Sequence, residues 1–348
     1  MARLRRSDCS APGISRRRRG KGFSYAQADG TPVTDEETLR RVRGLAVPPA
    51  WEEVWICPWP NGHIQAVGTD AAGRRQYRYH DDWRVHRDRE KFDRVLAFAG
   101  VLPRLRRAVE ADLAGDGLGR DRVLATIVRL LDVGFFRIGG EEYAAEHETF
   151  GVASLRKEHV TVRDDVMAFD YPAKGSIERR LEVRDPAARE VVATLRRRRS
   201  GGPNLFAYKD GRRWVPVHAD DVNAYIKAAG DGYSAKDFRT WSATVLAAAA
   251  LAGKEPVPAT GTGRRRAVAA AVAAVAEQLG NTPAVCRSSY VDPRVVDRFE
   301  SGETLRDHLG DLPALDGRMT AEALRSVEKA VVDLIEGPVT PAAVRAAA

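Results

Sequence analysis

The chain has 348 residues, of which 44% are hydrophobic and 30% are charged, and its mean hydropathy is −0.37. This composition is typical of a soluble globular protein with one large domain or two ordinary ones. No apolar run approaches the roughly 20 residues that cross a membrane, and no apolar stretch follows the basic N-terminus. We therefore expect a cytoplasmic protein without a membrane partner.

The cysteines, histidines and glycines show none of the usual cofactor patterns. Cys9, Cys57 and Cys286 lie far apart without CxxC spacing, so they predict neither a zinc site nor a disulfide framework. The histidines show no HExxH pattern, and no glycine-rich loop ends in Lys-Ser or Lys-Thr. The sequence therefore predicts a protein that needs no metal, nucleotide or other cofactor.

The net charge of +8 is concentrated at the N-terminus. Residues 1–21 hold eight basic side chains against the single acid Asp8, which gives +7 and leaves about +1 for the rest of the chain. A basic arm of this kind suits a polyanion, because neutralising phosphates releases counterions. A disordered tail that only aids solubility is the alternative. We expect nucleic-acid contacts from the run Arg16, Arg17, Arg18 and Arg19.

Residues 22–87 predict a small β-rich domain. Aromatic and β-branched residues alternate with Gly, Pro and Asn in GFSYAQADGTPV, WEEVWICPWPNGHIQAVGTD and GRRQYRYH. The PNG and DG dipeptide regions fit hairpin turns. One short helix, DEETLRRVRGL, is predicted to end near the two prolines at 48–49.

Residues 88–348 predict a mainly helical domain. RDRVLATIVRLLDVG places Val123, Ile127, Leu130 and Leu131 on one apolar face. SAKDFRTWSATVLAAAALA and RRRAVAAAVAAVAEQLG predict alanine-rich helices, and TAEALRSVEKAVVDLIEG predicts a closing helix.

Two local patterns refine this domain. Ser234 and Asp237 form a plausible capping box at the first alanine-rich helix. Between the helices, VTVRDDVMAFDYPAKGSIERRLEV predicts an inserted β-hairpin whose PAKGS turn carries Lys174. The predicted fold class is therefore α+β, with a β-rich N-terminal domain and a helical domain that contains one hairpin.

Five polar residues of the helical domain stand in separate segments: Arg137, Lys174, Arg239, Asn281 and Tyr290. Each has an ordinary explanation, such as a surface ion pair, a solvated lysine or a half-buried tyrosine anchor. A functional interpretation depends on their combination and on the sequence around them.

Those surrounding sequences closely resemble the type IB DNA topoisomerases, in particular the short bacterial and poxvirus-like branch. The segments are RIGGEEYAAEHETFGVASLRKEHV, KDFRTW and LGNTPAVCRSSY, preceded by GISRRRRGKGFSY, PPAW and GRRQYRYH. The resemblance runs from about residue 12 to about residue 300, with the motifs in the same order. It implies a tyrosine-recombinase-like catalytic domain and a monomer that clamps double-stranded DNA in a C shape at the nucleoid.

The resemblance also implies a role for each of the five residues. Tyr290 would attack a DNA phosphodiester and become joined to the 3′-phosphate, and the freed strand would swivel and be resealed without ATP. Arg137 and Arg239 would hold the transition-state charge, because guanidinium groups bind phosphate oxygens bidentately. Lys174 would protonate the leaving 5′-oxygen, with help from Arg137. Asn281 stands where the poxvirus and nuclear enzymes have histidine, so we expect it to position phosphate through a neutral hydrogen bond.

The resemblance implies further DNA contacts. Gln76, Tyr77 and Tyr79 match a DNA-contacting segment of the N-terminal domain, and Tyr143 matches a residue that faces the groove near the cleaved phosphate. Tyr77 and Tyr79 could equally lie on a strand face that packs on its own core.

Two other classes of protein share part of this pattern. Site-specific tyrosine recombinases share the chemistry, but they usually have His-x-x-Arg where this chain has Lys236 to Arg239, and their N-terminal domain is normally helical. A non-catalytic architectural DNA-binding protein would have no need of Tyr290.

Overall fold

The computed structural model describes residues 3–229, 232–254, 256–309 and 321–338. The chain forms two compact units, Met1–Asp93 and Arg94–Ala348. The boundary between them lies within a long helix that spans Asp81–Leu113. Among the described residues, no helix combines the length and apolarity that a bilayer-spanning segment needs.

The first unit is an antiparallel sheet with one short helix. Its five strands are hydrogen-bonded in the order β2-β1-β3-β4-β5. The elements are β1 (Ile14–Arg19), β2 (Gly22–Ala26), α1 (Glu36–Gly44), β3 (Glu52–Ile56), β4 (Ile64–Thr69), β5 (Arg75–Tyr79) and the start of α2 (Asp81–Leu113). The β-rich domain and its helix were predicted, and Asp35 caps α1 by accepting a hydrogen bond from the Thr38 amide at 2.7 Å.

Strand β1 corrects the prediction of a basic arm. Ile14 is buried against the sheet and pairs with Ile56 of β3. Alternate side chains of a strand share a face, so Arg16 lies on the same side as Ile14. Its guanidinium donates to the carbonyls of Val47 and Trp51 at 2.8 Å, and to that of Pro48 at 2.9 Å. Four consecutive arginines hide this alternation in the sequence.

The second unit is mainly helical. Its remaining elements are α3 (Arg120–Gly134), α4 (Glu141–His147), β6 (Val160–Arg163), β7 (Val166–Ala173), β8 (Ile177–Val183), α5 (Pro186–Arg197), β9 (Ala207–Asp210), β10 (Arg213–Pro216), α6 (Ala219–Ala229), α7 (Ala235–Ala252), α8 (Gly261–Leu279), α9 (Pro283–Ser289), α10 (Pro293–Glu300), α11 (Arg306–Leu309) and α12 (Ala321–Glu336). Helix α3 was predicted, and its apolar face, with Val123, Ile127, Leu130 and Leu131, is buried in the core.

The inserted β segment has one strand more than the predicted hairpin. Strands β7 and β8 form that hairpin, and β6 adds to its other edge in the order β6-β7-β8. The β7–β8 turn covers residues 174–176, where Gly175 and Ser176 have positive φ angles of 79° and 57°. Lys174 therefore lies at the exposed tip of a hairpin, as predicted.

Helix α12 confirms the predicted closing helix and is held to the unit by a buried ion network. Arg106 of α2 contacts Asp132 of α3 at 2.8 Å and Glu328 of α12 at 2.6 Å. Glu328 also accepts a hydrogen bond from the indole of Trp241 at 3.0 Å. Because Trp241 lies two residues beyond Arg239 on α7, this network fixes the helix that carries Arg239.

Candidate active site

Arg137, Lys174, Arg239, Asn281 and Tyr290 line one pocket of about 650 Å³ in the second unit. They come from five separate elements or loops, so the fold brings together all the residues that the sequence analysis selected for chemistry. Their assigned roles remain predictions at this point.

Arg239 is the most buried of the five. It lies one turn into α7, and only 4% of its surface is exposed. The predicted capping box begins this helix, with the Ser234 amide donating to the Asp237 carboxylate at 2.7 Å. The guanidinium of Arg239 donates to the carbonyl of Phe135 and, at 2.9 Å, to that of Leu279.

Arg137 lies in the loop that joins α3 to α4. Its carbonyl accepts a hydrogen bond from the Val152 amide at 2.8 Å. A close approach of two glycines holds the same loop: a Cβ atom on Gly151 would lie 2.4 Å from the Gly139 nitrogen. Gly139 also has a φ of 79°, which favours glycine. The backbone of Arg137 is therefore held in one place before any ligand arrives.

The side chain of Arg137 reaches the residues that follow α8. It donates to the Gly280 carbonyl at 2.8 Å and to the Oδ1 atom of Asn281. This contact orients the Asn281 amide, so its Nδ2 group is the donor that remains. Within the described part of the chain, the buried Asn281 Nδ2 and Arg239 Nε atoms have no hydrogen-bond partner. Buried donors of this kind cost about 1–3 kcal/mol each, and an anion in the pocket would satisfy them.

The C-terminal end of α8 binds three arginines. Arg179 of β8 donates to the carbonyls of Glu277, at 3.2 Å, and Gln278. Arg239 donates a hydrogen bond to the carbonyl of Leu279, and Arg137 donates one to the carbonyl of Gly280. The last carbonyls of a helix lack intrahelical partners and carry partial negative charge, so this end attracts cations.

The crowding of positive charge perturbs the pKa values of these arginines. Burial, which is the largest cause, and the nearby charge of Arg137 together lower the pKa of Arg239 to about 10, while Tyr290 opposes the shift. Burial also lowers the pKa of Arg179. The pKa of the neighbouring Tyr171 phenol is raised by burial, although Arg179 and Arg239 oppose that rise. The site is thus a desolvated cationic pocket that favours an anionic ligand.

Tyr290 lies at the C-terminal end of α9, which begins at Pro283 with Thr282 as its N-cap. Its amide donates to the Cys286 carbonyl at 2.9 Å, and its own carbonyl accepts from the Thr244 hydroxyl at 3.3 Å. The ring is half-buried, and its centroid lies 5.4 Å from the Arg239 Cζ atom. The tyrosine is therefore anchored through its backbone while its ring lines the cationic pocket.

The pocket rim contains residues that the sequence analysis did not select. Lys236 lies one turn before Arg239 on α7, and the i, i+3 spacing within KDFR was the available signal. Ile177 and Val285 are apolar, with 49% and 45% of their surfaces exposed, and both line the pocket. No sequence pattern distinguishes these two from ordinary core residues.

The residues predicted to contact DNA differ in their exposure and in their contacts within the protein. Tyr77 and Tyr79 are 42% and 41% exposed and stack with their ring centroids 6.0 Å apart, so they do not pack on a core. Gln76 donates to the Asp70 carboxylate at 2.9 Å. The helix α4 includes Tyr143, but the side chain of Tyr143 lies outside the described residues.

The basic run Arg16–Arg19 divides into two parts. Arg17, Arg18 and Arg19 are exposed on the β1–β2 hairpin. Arg16 uses its guanidinium for three backbone carbonyls and lies over the Phe23 ring at 4.1 Å. The guanidinium of Arg16 is therefore used within the fold, whereas Arg17, Arg18 and Arg19 are accessible to solvent.

Two family models match the chain. Residues 80–306 match the catalytic core of eukaryotic DNA topoisomerase I, and residues 22–70 match the N-terminal domain of bacterial DNA topoisomerase IB. The five pocket residues all lie within the first of these matches.

Individual relatives agree with both family matches. DNA topoisomerase 1B of Acanthamoeba polyphaga mimivirus is 30% identical over 310 residues, which are 86% of this chain and 92% of the relative. DNA topoisomerase 1B of vaccinia virus is 20% identical over 66% of this chain and 71% of the relative. DNA topoisomerase 1 of Schizosaccharomyces pombe is 29% identical, and the match spans only 27% of that longer protein.

Gly280 ends α8 in the left-handed conformation, with φ 61° and ψ 49°. We expect Gly280→Ala to lower the free energy of unfolding by about 1–2 kcal/mol, because a Cβ atom is disfavoured in this conformation. That atom would also lie 3.3 Å from an Arg179 nitrogen. Gly253 ends α7 with an ordinary φ of −70°, so Gly253→Ala is the matched control and should change stability little. Equal effects in urea denaturation would contradict this account.

Proposed function

The chain belongs to the type IB DNA topoisomerases, and we propose that it relaxes supercoiled duplex DNA by cleaving one strand through a 3′-phosphotyrosyl intermediate, without ATP. The supporting observation is the pocket itself. It combines two fixed guanidinium groups and an unsatisfied amide donor with a half-buried tyrosine ring. Such a pocket suits a phosphodiester more than a neutral ligand.

Tyr290 is the proposed nucleophile. Its oxygen attacks the scissile phosphorus, its proton passes to solvent, and the bond from phosphorus to the 5′-oxygen breaks as the phosphotyrosyl bond forms. The Arg239 charge beside the ring stabilises negative charge on the phenol oxygen during attack. Energy is retained in the phosphotyrosyl bond, so resealing by the 5′-hydroxyl needs no nucleotide.

Arg137, Arg239 and Asn281 are the proposed transition-state binders. Attack adds negative charge to the non-bridging phosphate oxygens, and preorganised donors in a desolvated pocket stabilise that charge strongly. The guanidinium groups are already held by backbone carbonyls, so no reorganisation is required when the phosphate enters. The free Asn281 Nδ2 supplies a neutral third donor.

Lys174 is the proposed general acid. The leaving 5′-oxygen would depart as an alkoxide unless it received a proton, and a positioned acid contributes on the order of 10²–10⁴-fold. Lys174 stands at the exposed hairpin tip beside the pocket, where its ammonium can donate to that oxygen. Arg137 assists by keeping positive charge near the same atom.

Double-stranded DNA is the proposed partner, and a single chain carries every proposed catalytic residue. Exposed arginines at 17, 18 and 19 suit phosphate contacts. The exposed stacked pair Tyr77 and Tyr79 suits packing against DNA sugars or phosphates, because both rings lie outside the core. Gln76 and Tyr143 stay in the proposed set on the resemblance alone.

Replacement of Tyr290 by phenylalanine tests the nucleophile. Wild-type protein should relax both negatively and positively supercoiled plasmid in excess EDTA without ATP. Tyr290→Phe should relax neither and form no covalent adduct with DNA, because only the attacking hydroxyl is removed. Its DNA affinity should stay within about tenfold of wild type, since that hydroxyl contributes only about 0.5–1.5 kcal/mol as a hydrogen-bonding group.

Tyr233→Phe is the matched control, because Tyr233 is also half-buried in the second unit but lies outside the pocket. It should relax plasmid at the wild-type rate. If wild-type protein binds plasmid and never changes its linking number, the proposed function is wrong and an architectural or recombinase activity must be tested instead.

Removal of the Asn281 amide tests its role as a neutral donor. We expect Asn281→Ala to slow single-turnover cleavage by about 10²–10³-fold, the usual cost of losing one oxyanion donor. Asn281→Asp should be slower still, because a carboxylate would repel the phosphate and pair with Arg137. A single-turnover assay, with protein in excess over DNA and above the dissociation constant of the complex, measures both variants. Equal rates for wild type and Asn281→Ala would remove this residue from the mechanism.

The exposed arginines of the β1–β2 hairpin can be tested by the salt dependence of DNA binding. Each of Arg17→Ala, Arg18→Ala and Arg19→Ala should reduce the slope of log K against log salt concentration by about 0.9 if it removes one phosphate contact. Arg107→Ala, on the exposed side of α2, should leave the slope unchanged. Fluorescence anisotropy over a range of NaCl concentrations measures the slope, and unchanged slopes in all three variants would exclude these arginines from DNA binding.

A further inference from the structure

Arg179 is a cation at the active-site end of α8 that none of the proposed roles uses. It lies on β8, where its register partner across the hairpin is Tyr171 of β7. Its guanidinium binds the Glu277 carbonyl at 3.2 Å and also the Gln278 carbonyl. A Cβ atom on Gly280 would be 3.3 Å from the same guanidinium.

The next residue, Arg180, differs from Arg179 in both exposure and partners. The Arg180 side chain is 78% exposed and pairs at 3.1 Å with Asp170, whose side chain is 59% exposed. Arg179 is half-buried instead, and burial together with the charge of Arg137 lowers its pKa. Burial of a second guanidinium beside Arg137 is unfavourable by itself, so the two α8 carbonyls must offset that cost.

The position of Arg179 in the hairpin connects α8 with the Lys174 turn. Strand β8 begins at Ile177, directly after the turn, and the ladder between β7 and β8 is continuous from Ala173–Ile177 to Met167–Val183. A strand advances about 3.3 Å per residue, so Arg179 lies only about 7 Å along the strand from Ile177. A contact at Arg179 therefore restrains the end of the hairpin that presents Lys174.

We propose that Arg179 is a positioning residue that fixes the Lys174 hairpin on the C-terminal end of α8. This inference rests on the proposed function of Lys174 as the general acid. The same helix end binds Arg137 and Arg239. The C-terminal end of α8 therefore fixes the position of the acid relative to the phosphate-binding groups. Loss of Arg179 would leave the phosphate clamp in place but misplace the acid relative to the leaving oxygen.

The step that depends on Lys174 can be isolated by changing the leaving atom. In a DNA substrate whose scissile 5′-bridging oxygen is replaced by sulfur, the leaving group is a thiolate, which needs no protonation because the pKa of a thiol is only about 8.5. A variant impaired only in proton delivery therefore cleaves the sulfur substrate normally. A variant impaired in phosphate binding or folding cleaves both substrates slowly.

Arg179→Ala should cleave the oxygen substrate about 10–100-fold more slowly than wild type, the range expected when a reacting group is displaced by about 1 Å. It should cleave the sulfur substrate within about threefold of wild type, and its DNA affinity should be unchanged. Arg179→Lys keeps the charge and one contact to α8, so it should recover most of the rate on the oxygen substrate. Arg180→Ala is the matched control and should behave as wild type on both substrates.

The inference would be overturned if Arg179→Ala slowed cleavage of both substrates equally and Arg179→Lys were as slow on both. That result would assign Arg179 to the phosphate clamp or to the fold. Wild-type rates on both substrates would overturn it as well. Neither result would affect the proposed function, because wild-type protein would still cleave. Failure of wild-type protein to cleave either substrate would instead overturn the proposed function, and this inference with it.

Discussion

The interaction on which the site depends is the binding of three guanidinium groups by the last turn of one helix. The last carbonyls of helix α8, from Glu277 to Gly280, accept hydrogen bonds in chain order from Arg179, Arg239 and Arg137. The end of a helix carries roughly half a negative charge. That charge opposes the repulsion among the arginines and allows them to remain close together in the pocket.

This constraint explains features that lie away from the pocket. The arginines can converge only if their own elements are fixed, and each element has a separate restraint. The capping box and the Trp241–Glu328 contact hold α7, and the Gly139–Gly151 approach holds the loop of Arg137. The left-handed Gly280 turns the chain sharply after α8, so Asn281 follows directly with its amide directed by Arg137. Much of the second unit thus serves to keep cations together that would otherwise separate.

The elements of the second unit were largely predictable from the sequence, whereas the arrangement of the arginines was not. Apolar periodicity identified α3, and the capping box of Ser234 and Asp237 identified the start of α7. Backbone carbonyls bind Arg179 and Arg239, and carbonyls are present at every residue, so they leave no mark in the sequence. The partners of Arg16 left no mark in the sequence for the same reason, since they are also carbonyls. A run of arginines therefore gives no indication of which members are exposed and which stabilise the fold.

The contrast between the arginines and Lys174 follows from the demands of the proposed reversible strand transfer. Transition-state charge appears on the same phosphate oxygens during cleavage and resealing, so donors that serve both directions gain from being rigid and buried. The 5′-oxygen behaves differently, because it must receive a proton in one direction and return it in the other while its strand leaves and comes back. An ammonium at an exposed hairpin tip can exchange protons with water between the two steps, which the buried Arg239 cannot do. Fixed charge at the base of the pocket and the proposed acid at its exposed rim are therefore complementary solutions to the two halves of the proposed reaction.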